Sequence, residues 1–378
     1  MIRVALVLQE PTPYRAPHLA RIAARPELDV HVAYAARTVQ RRTWTLPDDG
    51  AVYLGGRSLP LARLLHHDYP LTLSVWPWLE RLRPGAVVVG GWSTSATQLA
   101  IAWCRRRGVP YVLMSDNHLR ELRPAWVRAL KRVVLRAVVP QAAGWLVPGR
   151  LAREHIVRYG ADPAGIVELP LTVDVEALAA VAGELAGRRA GIRERLGIAP
   201  GAVVVLSVGR LIPFKGFDVL LRAVAGSKAP LHLVLAGAGP LEQELRAEAG
   251  RLGVAATFAG FVEGEALHEL FAAADVFALL SRREVWGVAV NEAMAFGLPL
   301  VLSDAVGAAG DLLGDGENGV LVPSEDVGAA ARALERLAAD PALRNELGAA
   351  SRRRIEDWGY ARGADELVAL LERVSAGR

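Results

Sequence analysis

Two doubly wound α/β domains in tandem are what this sequence predicts. Short apolar runs alternate with helix-period segments from end to end, and that rhythm restarts near residue 200. A length of 378 residues exceeds one average domain and suits two. Apolar residues make up 52% of the chain and charged residues 22%, the balance of a globular protein and not of a disordered one.

In the first half the apolar runs, read as strands, lie at 3–8, 30–34, 86–90, 111–114, 144–147 and 166–169. In the second half they lie at 203–208, 231–236, 257–259, 276–279, 300–302 and 320–322. Amphipathic helices fill most of the gaps. Residues 96–107, for example, end in three arginines before Gly108, as a helix C-terminus should. Strand–helix alternation of this kind builds parallel sheets. The stretch 172–200 is rich in Ala, Gly and Arg with helical patterning, and is read as the connection between the domains. Residues 358–374 read as a final amphipathic helix.

Composition narrows the function. The single cysteine, Cys104, rules out an intramolecular disulfide and fits a reducing compartment. The opening MIRVALVLQE is too short an apolar stretch for a secretory leader, which points to the cytoplasm. The uncharged window 84–104 contains Gly90-Gly91, Ser93-Thr94-Ser95, Thr97 and Gln98, so it reads as strand, polar turn and capped helix, not as a membrane span. The first 174 residues carry 23 Lys and Arg against 13 Asp and Glu, and the remainder 21 against 27. A basic first half suits an anionic lipid surface or a phosphate-bearing acceptor. Its basic residues are dispersed and accompany no nucleic-acid motif, so no nucleic acid is expected. Only Lys131, Lys215 and Lys228 are lysines among 44 basic residues, which makes each one informative.

Ligands of doubly wound sheets bind where loops leave the carboxyl ends of strands. Three such loops in the second half carry unusual chemistry. After strand 203–208, Gly209 permits a tight exit, and Arg210 and Lys215 put two cations on one loop, suited to neutralising a diphosphate. After strand 276–279, Glu284 lies on the loop, Gly287 opens a helix whose bare amides and dipole favour phosphate, and Glu292 sits one turn in. A carboxylate one turn into a helix can accept hydrogen bonds from ribose hydroxyls, and one on the loop can reach the hydroxyls of a bound sugar. The third loop, Gly237-Ala238-Gly239-Pro240, closes strand 231–236; Gly-x-Gly alone is weak and lacks the third glycine of a dinucleotide fingerprint.

At these residues the chain resembles the family 4 retaining glycosyltransferases of the GT-B fold. Residues 200–325 carry the resemblance, in SVGRLIPFKGFDVLLRA, LAGAGPLEQEL, AGFV and LLSRREVWGVAVNEAMAFGLPLVLSDAVGAAGDLLGDGENGVLVP. It implies two Rossmann-like domains facing across a cleft, with a C-terminal helix crossing back. The N-terminal acceptor-side domain is then 1–172 plus the helix 358–378, and 173–357 holds the linker and the donor-nucleotide-binding domain. It also implies that Arg210 and Lys215 bind the donor diphosphate, Glu292 holds the ribose and Glu284 contacts the donor sugar. The amides around Trp286, Gly287 and Val288 would cradle the phosphate side, and Phe261 and Val262 would line the base pocket. Trp286 departs from the family's usual phenylalanine, and Val285 from its proline, a change expected to reshape the sugar pocket.

The first half matches the family loosely. Its glycine-rich turn is replaced by Glu10-Pro11-Thr12-Pro13-Tyr14-Arg15, where Tyr14 or Arg15 faces the cleft or the segment is a rigid turn. Strand 111–114 ends in Ser115-Asp116-Asn117-His118. The resemblance offers Asp116, closer in register, or His118, of the familiar type, for the place of the family histidine that bonds the donor sugar; the alternative for each is a loop residue with no catalytic role. His66-His67-Asp68 lacks metal spacing, and Arg210, Lys215 and a helix end supply the charge a metal would, so no metal is expected. The segment 124–139, PAWVRALKRVVLRAVV, is a basic amphipathic helix that suits an anionic membrane or packs as an ordinary helix on the sheet.

The expected reaction transfers a sugar, with retained configuration, from a UDP- or GDP-sugar to a hydroxyl acceptor such as a glycan, a small molecule or a lipid-linked sugar. No permanently bound cofactor is expected. The rival readings are a nucleotide-sugar epimerase, a phosphorylase, and a sugar-nucleotide-binding protein without catalysis.

Overall fold

The apolar runs become strands because β-branched residues fill them. VVVLSV and AVVVG pack well when both faces of a sheet are covered. The computed structural model describes residues 1–12, 14–37, 51–56, 71–116 and 125–376, with the backbone alone for 125–128 and 130. The chain divides into two compact units, Met1–Leu171 with Tyr360–Arg378, and Thr172–Gly359.

The first unit holds β1 (Ile2–Leu8), β2 (Leu28–Tyr34), β3 (Val52–Tyr53), β4 (Ala86–Gly90), β5 (Tyr111–Met114), β6 (Gly144–Val147) and β7 (Ile166–Glu168). Their order is β3-β2-β1-β4-β5-β6-β7, and every pairing is parallel. The two-residue β3 is absent from the sequence reading because so short a strand leaves no pattern. Residues 95–107 form the expected helix, started by a capping box between Thr94 and Thr97 and stopped by left-handed Gly108.

The final helix needs a correction. It runs Ala364–Ala376 and does not begin at residue 358. Gly363, at φ +74°, turns the chain so close to β7 that a Cβ there would lie 2.1 Å from the Glu168 carbonyl oxygen. Leu367, Val368, Leu370 and Leu371 are buried against β1, β4 and β7, and each contributes about 1.5–3 kcal/mol of gross burial energy. Gly144 admits this helix, since a Cβ there would meet Leu370 at 2.7 Å.

The second unit holds β8 (Val203–Val208), β9 (Leu231–Ala236), β10 (Ala256–Gly260), β11 (Val276–Leu279), β12 (Leu300–Ser303) and β13 (Gly319–Val322), ordered β10-β9-β8-β11-β12-β13, again all parallel. The stretch read as a connection is two helices, Val175–Ala186 and Arg189–Arg195, packed within this unit. Arg189 and Arg193 each reach Asp275 at 2.6 Å, and Asp275 also accepts the Val204 amide at 2.7 Å, which ties the second helix to the sheet. In both sheets the strand order reverses at the centre, between β1 and β4 and between β8 and β11. Such reversals leave a crevice at the strands' carboxyl ends.

Candidate functional site

At the reversal of the second sheet, the loops leaving β8, β9 and β11 run in backbone contact. Gly237, at φ +147°, lies so close to the β8 loop that a Cβ would stand 1.9 Å from the Gly209 carbonyl oxygen. Leu211 N–H donates to Ala238 O at 3.0 Å, and Gly237 N–H to Gly260 O at 2.7 Å. On the other side, Gly216, at φ +67°, opens the helix Phe217–Gly226 hard against the end of β11, where a Cβ would stand 2.0 Å from Leu280 O. Only glycine fits either place.

A set of charged groups holds these loops together. The Arg282 guanidinium grips Asp218 with two bonds of 2.7 and 2.8 Å, and it also donates to Glu325 and to Pro213 O at 2.9 Å. These bonds hold the Asp218 carboxyl below the usual carboxylate range and raise the Arg282 pKa. The Arg282 and Arg283 amides both donate to Phe214 O. Sequence reasoning gave Arg282 and Asp218 no role, because nothing in spacing links a loop residue to a helix start 64 positions earlier.

Lys215 and Glu284 meet directly, the Lys215 ammonium pairing with Glu284 Oε2. Each rests on glycine: a Cβ at Gly209 would lie 3.3 Å from Lys215 Cε, and one at Gly287 3.4 Å from Glu284 Cγ. Gly287, at φ +100°, caps the helix Val288–Ala295 without a side-chain hydrogen bond, and Glu284 therefore lies over the positive end of that helix. Arg210 is exposed, and its side chain makes no hydrogen bond or ion pair among the described residues. Glu292 keeps part of its surface accessible yet is densely surrounded by protein, and that desolvation pushes its carboxyl up to about 7. Phe261, 51% exposed, and half-buried Val262 follow β10.

The Trp286 side chain is buried. The indole N–H donates to Asn291 Oδ1 at 3.1 Å, Asn291 donates onward to Thr172 at 3.1 Å, and the ring packs on Trp358 at 5.8 Å. The larger ring is accommodated by packing on Trp358, so what Trp286 offers the site is its backbone.

The first unit has a pocket of its own, lined by Tyr14, Arg15, His18, Ser115, Asp116 and Pro170 among others. Arg15 approaches Asp116 at 3.8 Å. His18 stacks on Tyr360 at 5.0 Å, its Nε2 has no partner among the described residues, and burial pushes its pKa down to about 4. Sequence reading passed over His18 because it sits on the apolar face of a short helix. His118, Asn117 and the His66-His67-Asp68 cluster lie outside the described residues. The helix expected within 124–139 is Ala125–Val138, with Arg132, Arg136 and Val133 exposed, Val133 at 68%. The Lys131 ammonium sits 5.9 Å from the Trp92 ring centre. Among the described residues no His, Cys, Asp and Glu group could hold a metal, and no helix is long and apolar enough to cross a membrane.

Residues 189–354 match the family described as glycosyl transferases group 1. A D-inositol 3-phosphate glycosyltransferase of Kineococcus radiotolerans is 33% identical over 270 residues, covering 65% of this chain and 61% of that protein. The same-named enzyme of Geodermatophilus obscurus is 36% identical over 232 residues, covering 58% and 49%. The matches thus span about half to three-fifths of these relatives' own lengths. Anabaena HepE, solved with UDP, superposes with a TM-score of 0.75 at 19% identity over 100% of both chains. The same protein has also been solved with UDP-glucose. The fold is GT-B: two Rossmann-like α/β units with parallel sheets of seven and six strands.

Proposed function

We propose that this protein is a retaining, metal-independent glycosyltransferase that moves a sugar from a nucleoside diphosphate sugar to a hydroxyl acceptor. The observation that carries the reading is the convergence of Lys215, Glu284 and the Gly287 helix end at the β8/β11 reversal, with exposed Arg210 on the same loop. Arg210, Lys215 and the amides of Trp286, Gly287 and Val288 neutralise the diphosphate as it departs. Gly209 and Gly237 keep that approach open. Glu292 takes the ribose hydroxyls, Glu284 the sugar hydroxyls, and Phe261 with Val262 the base. UDP is the nucleotide favoured by analogy with HepE, with GDP the alternative.

The acceptor's oxygen attacks the anomeric carbon on the face the diphosphate leaves, the bond from that carbon to the phosphate oxygen breaks, and the phosphate takes the acceptor's proton. Charge neutralisation by side chains and a helix end makes a metal unnecessary. Asp116 or His118 orients the donor sugar, and the pocket around Arg15 and Asp116 receives the acceptor. Exposed Arg132, Val133 and Arg136 suit a lipid-linked acceptor and a peripheral seat on the cytoplasmic membrane face.

The test incubates the protein with UDP- and GDP-sugars and candidate acceptors in the presence of EDTA, and reads the product's anomeric configuration by NMR. Retained configuration with undiminished turnover supports the reading, and inversion or loss of turnover on chelation contradicts it. Sugar release without an acceptor would favour an epimerase.

A further inference from the structure

Lys215 and Glu284, both read above as ligand-binding residues, are engaged with each other. We propose that this ion pair is an exchange element that makes the site favour a sugar-bearing nucleoside diphosphate over the sugar-free diphosphate, and so helps expel the product. The inference rests on the proposed diphosphate site and adds a consequence to it.

The pair is enclosed. The Lys215 side chain is 19% exposed and that of Glu284 15%; the Lys215 stem lies over Gly209, and Glu284 shares the space over Gly287 with Leu279 and Val306. Among the described residues Glu284 is Lys215's partner, whereas Arg210 has none. Arg282, two positions before Glu284, is committed to Asp218, Glu325 and the Pro213 carbonyl.

A diphosphate that reaches Lys215 therefore arrives beside a carboxylate that already holds the ammonium. Two anions then share one cation in a partly dry place, and like charges a few ångströms apart oppose each other. The outcome depends on what else the ligand brings. A sugar attached to the diphosphate offers hydroxyls that donate to Glu284, so the carboxylate gives up the ammonium and keeps hydrogen bonds. A bare diphosphate offers none, and Glu284 then competes with it for the Lys215 ammonium. Before transfer the exchange is compensated by the donor sugar. After transfer the sugar has gone, and the carboxylate recaptures the ammonium as the diphosphate leaves.

The test is calorimetric titration of wild type, Glu284→Gln, Lys215→Ala and the double variant with UDP and UDP-glucose, and with GDP and GDP-mannose as the second pair. Glutamine keeps hydrogen-bonding capacity while removing the charge that competes for Lys215. The expected result is that Glu284→Gln binds the bare diphosphate about tenfold more tightly than wild type and its sugar conjugate no more tightly, reversing their order. In the Lys215→Ala background, Glu284→Gln should no longer tighten the diphosphate, a result a general packing change would not give. If Glu284→Gln binds the diphosphate no more tightly than wild type while Lys215→Ala still weakens it, the exchange is wrong and the site stands. If Lys215→Ala leaves diphosphate binding unchanged, both are wrong. Should Glu284→Gln not fold, product inhibition of the wild type decides: an inhibition constant for the diphosphate below the donor's dissociation constant overturns the proposal.

Discussion

The two units share a sheet plan but differ at their reversal points. In the second unit the loops after β8 and β11 are locked by Arg282, Gly216 and Gly237 into one rigid surface carrying Lys215, Glu284 and a helix end. In the first unit the loops after β1 and β4 meet through a long Gln9–Ser93 contact of 3.4 Å, and the nearby pocket is held by an Arg15–Asp116 approach of 3.8 Å. The contrast matches the two proposed tasks. A diphosphate has fixed charge and geometry, and a site built for it can be rigid and recur from protein to protein. An acceptor varies, and a surface that receives it need not be held to one geometry.

The sharpest way to break the comparison is at the second unit's charges. Lys215→Ala and Arg210→Ala should each lower kcat/KM by about 10²–10³, the usual cost of removing one group that stabilises developing charge. Steady-state kinetics checks this, and near-normal values in both would remove the distinction between the units. Leu370→Ala should cost about 2–5 kcal/mol in a denaturant melt while leaving donor affinity unchanged, because Leu370 is packed within the first unit. A fall in donor affinity would show that the units are not separable in this way. Trp286→Phe should cost about 1–3 kcal/mol by leaving Asn291 Oδ1 without its donor, again read by a denaturant melt.

Two smaller effects concern pH and run in opposite directions. The Glu292 carboxyl titrates near 7 in the folded chain against 4.5 when free, so the folded state holds a proton the unfolded state has lost between those values. Its contribution to stability therefore falls as pH rises from about 4.5 to 7, and Glu292→Gln should raise the melting temperature at pH 8 but not at pH 4. His18 titrates near 4 against 6.5, so the unfolded state binds the extra proton and stability falls as pH drops from about 6.5 to 4. His18→Gln should flatten that acid limb in pH-dependent thermal melts.

Apart from the two-residue β3, strand positions were legible because each is a mainly apolar run between breakers, and β8, β9 and β11 match their sequence-read ranges residue for residue. What escaped reading was decided by contacts between distant segments. The pairing of Lys215 with Glu284 links two loops that no periodicity relates. Trp286 stands in a loop, where exposure is the natural expectation, and it is buried because Trp358 and Asn291 receive it. The start of the last helix depends on Gly363 meeting Glu168, a contact that amphipathic patterning does not encode. Sequence order does not relate His18 to Asp116, which the end of β5 brings to the same pocket as Arg15.

The central claim, that the β8 and β11 loops hold a nucleoside diphosphate, is tested most directly by amide hydrogen exchange on the full chain. The ligand would be the UDP-, GDP- or ADP-sugar that raises the melting point most. The expected result is new protection concentrated in residues 209–216 and 284–289. Protection confined to other segments at saturating ligand, or no thermal shift with any of the three classes, would contradict it.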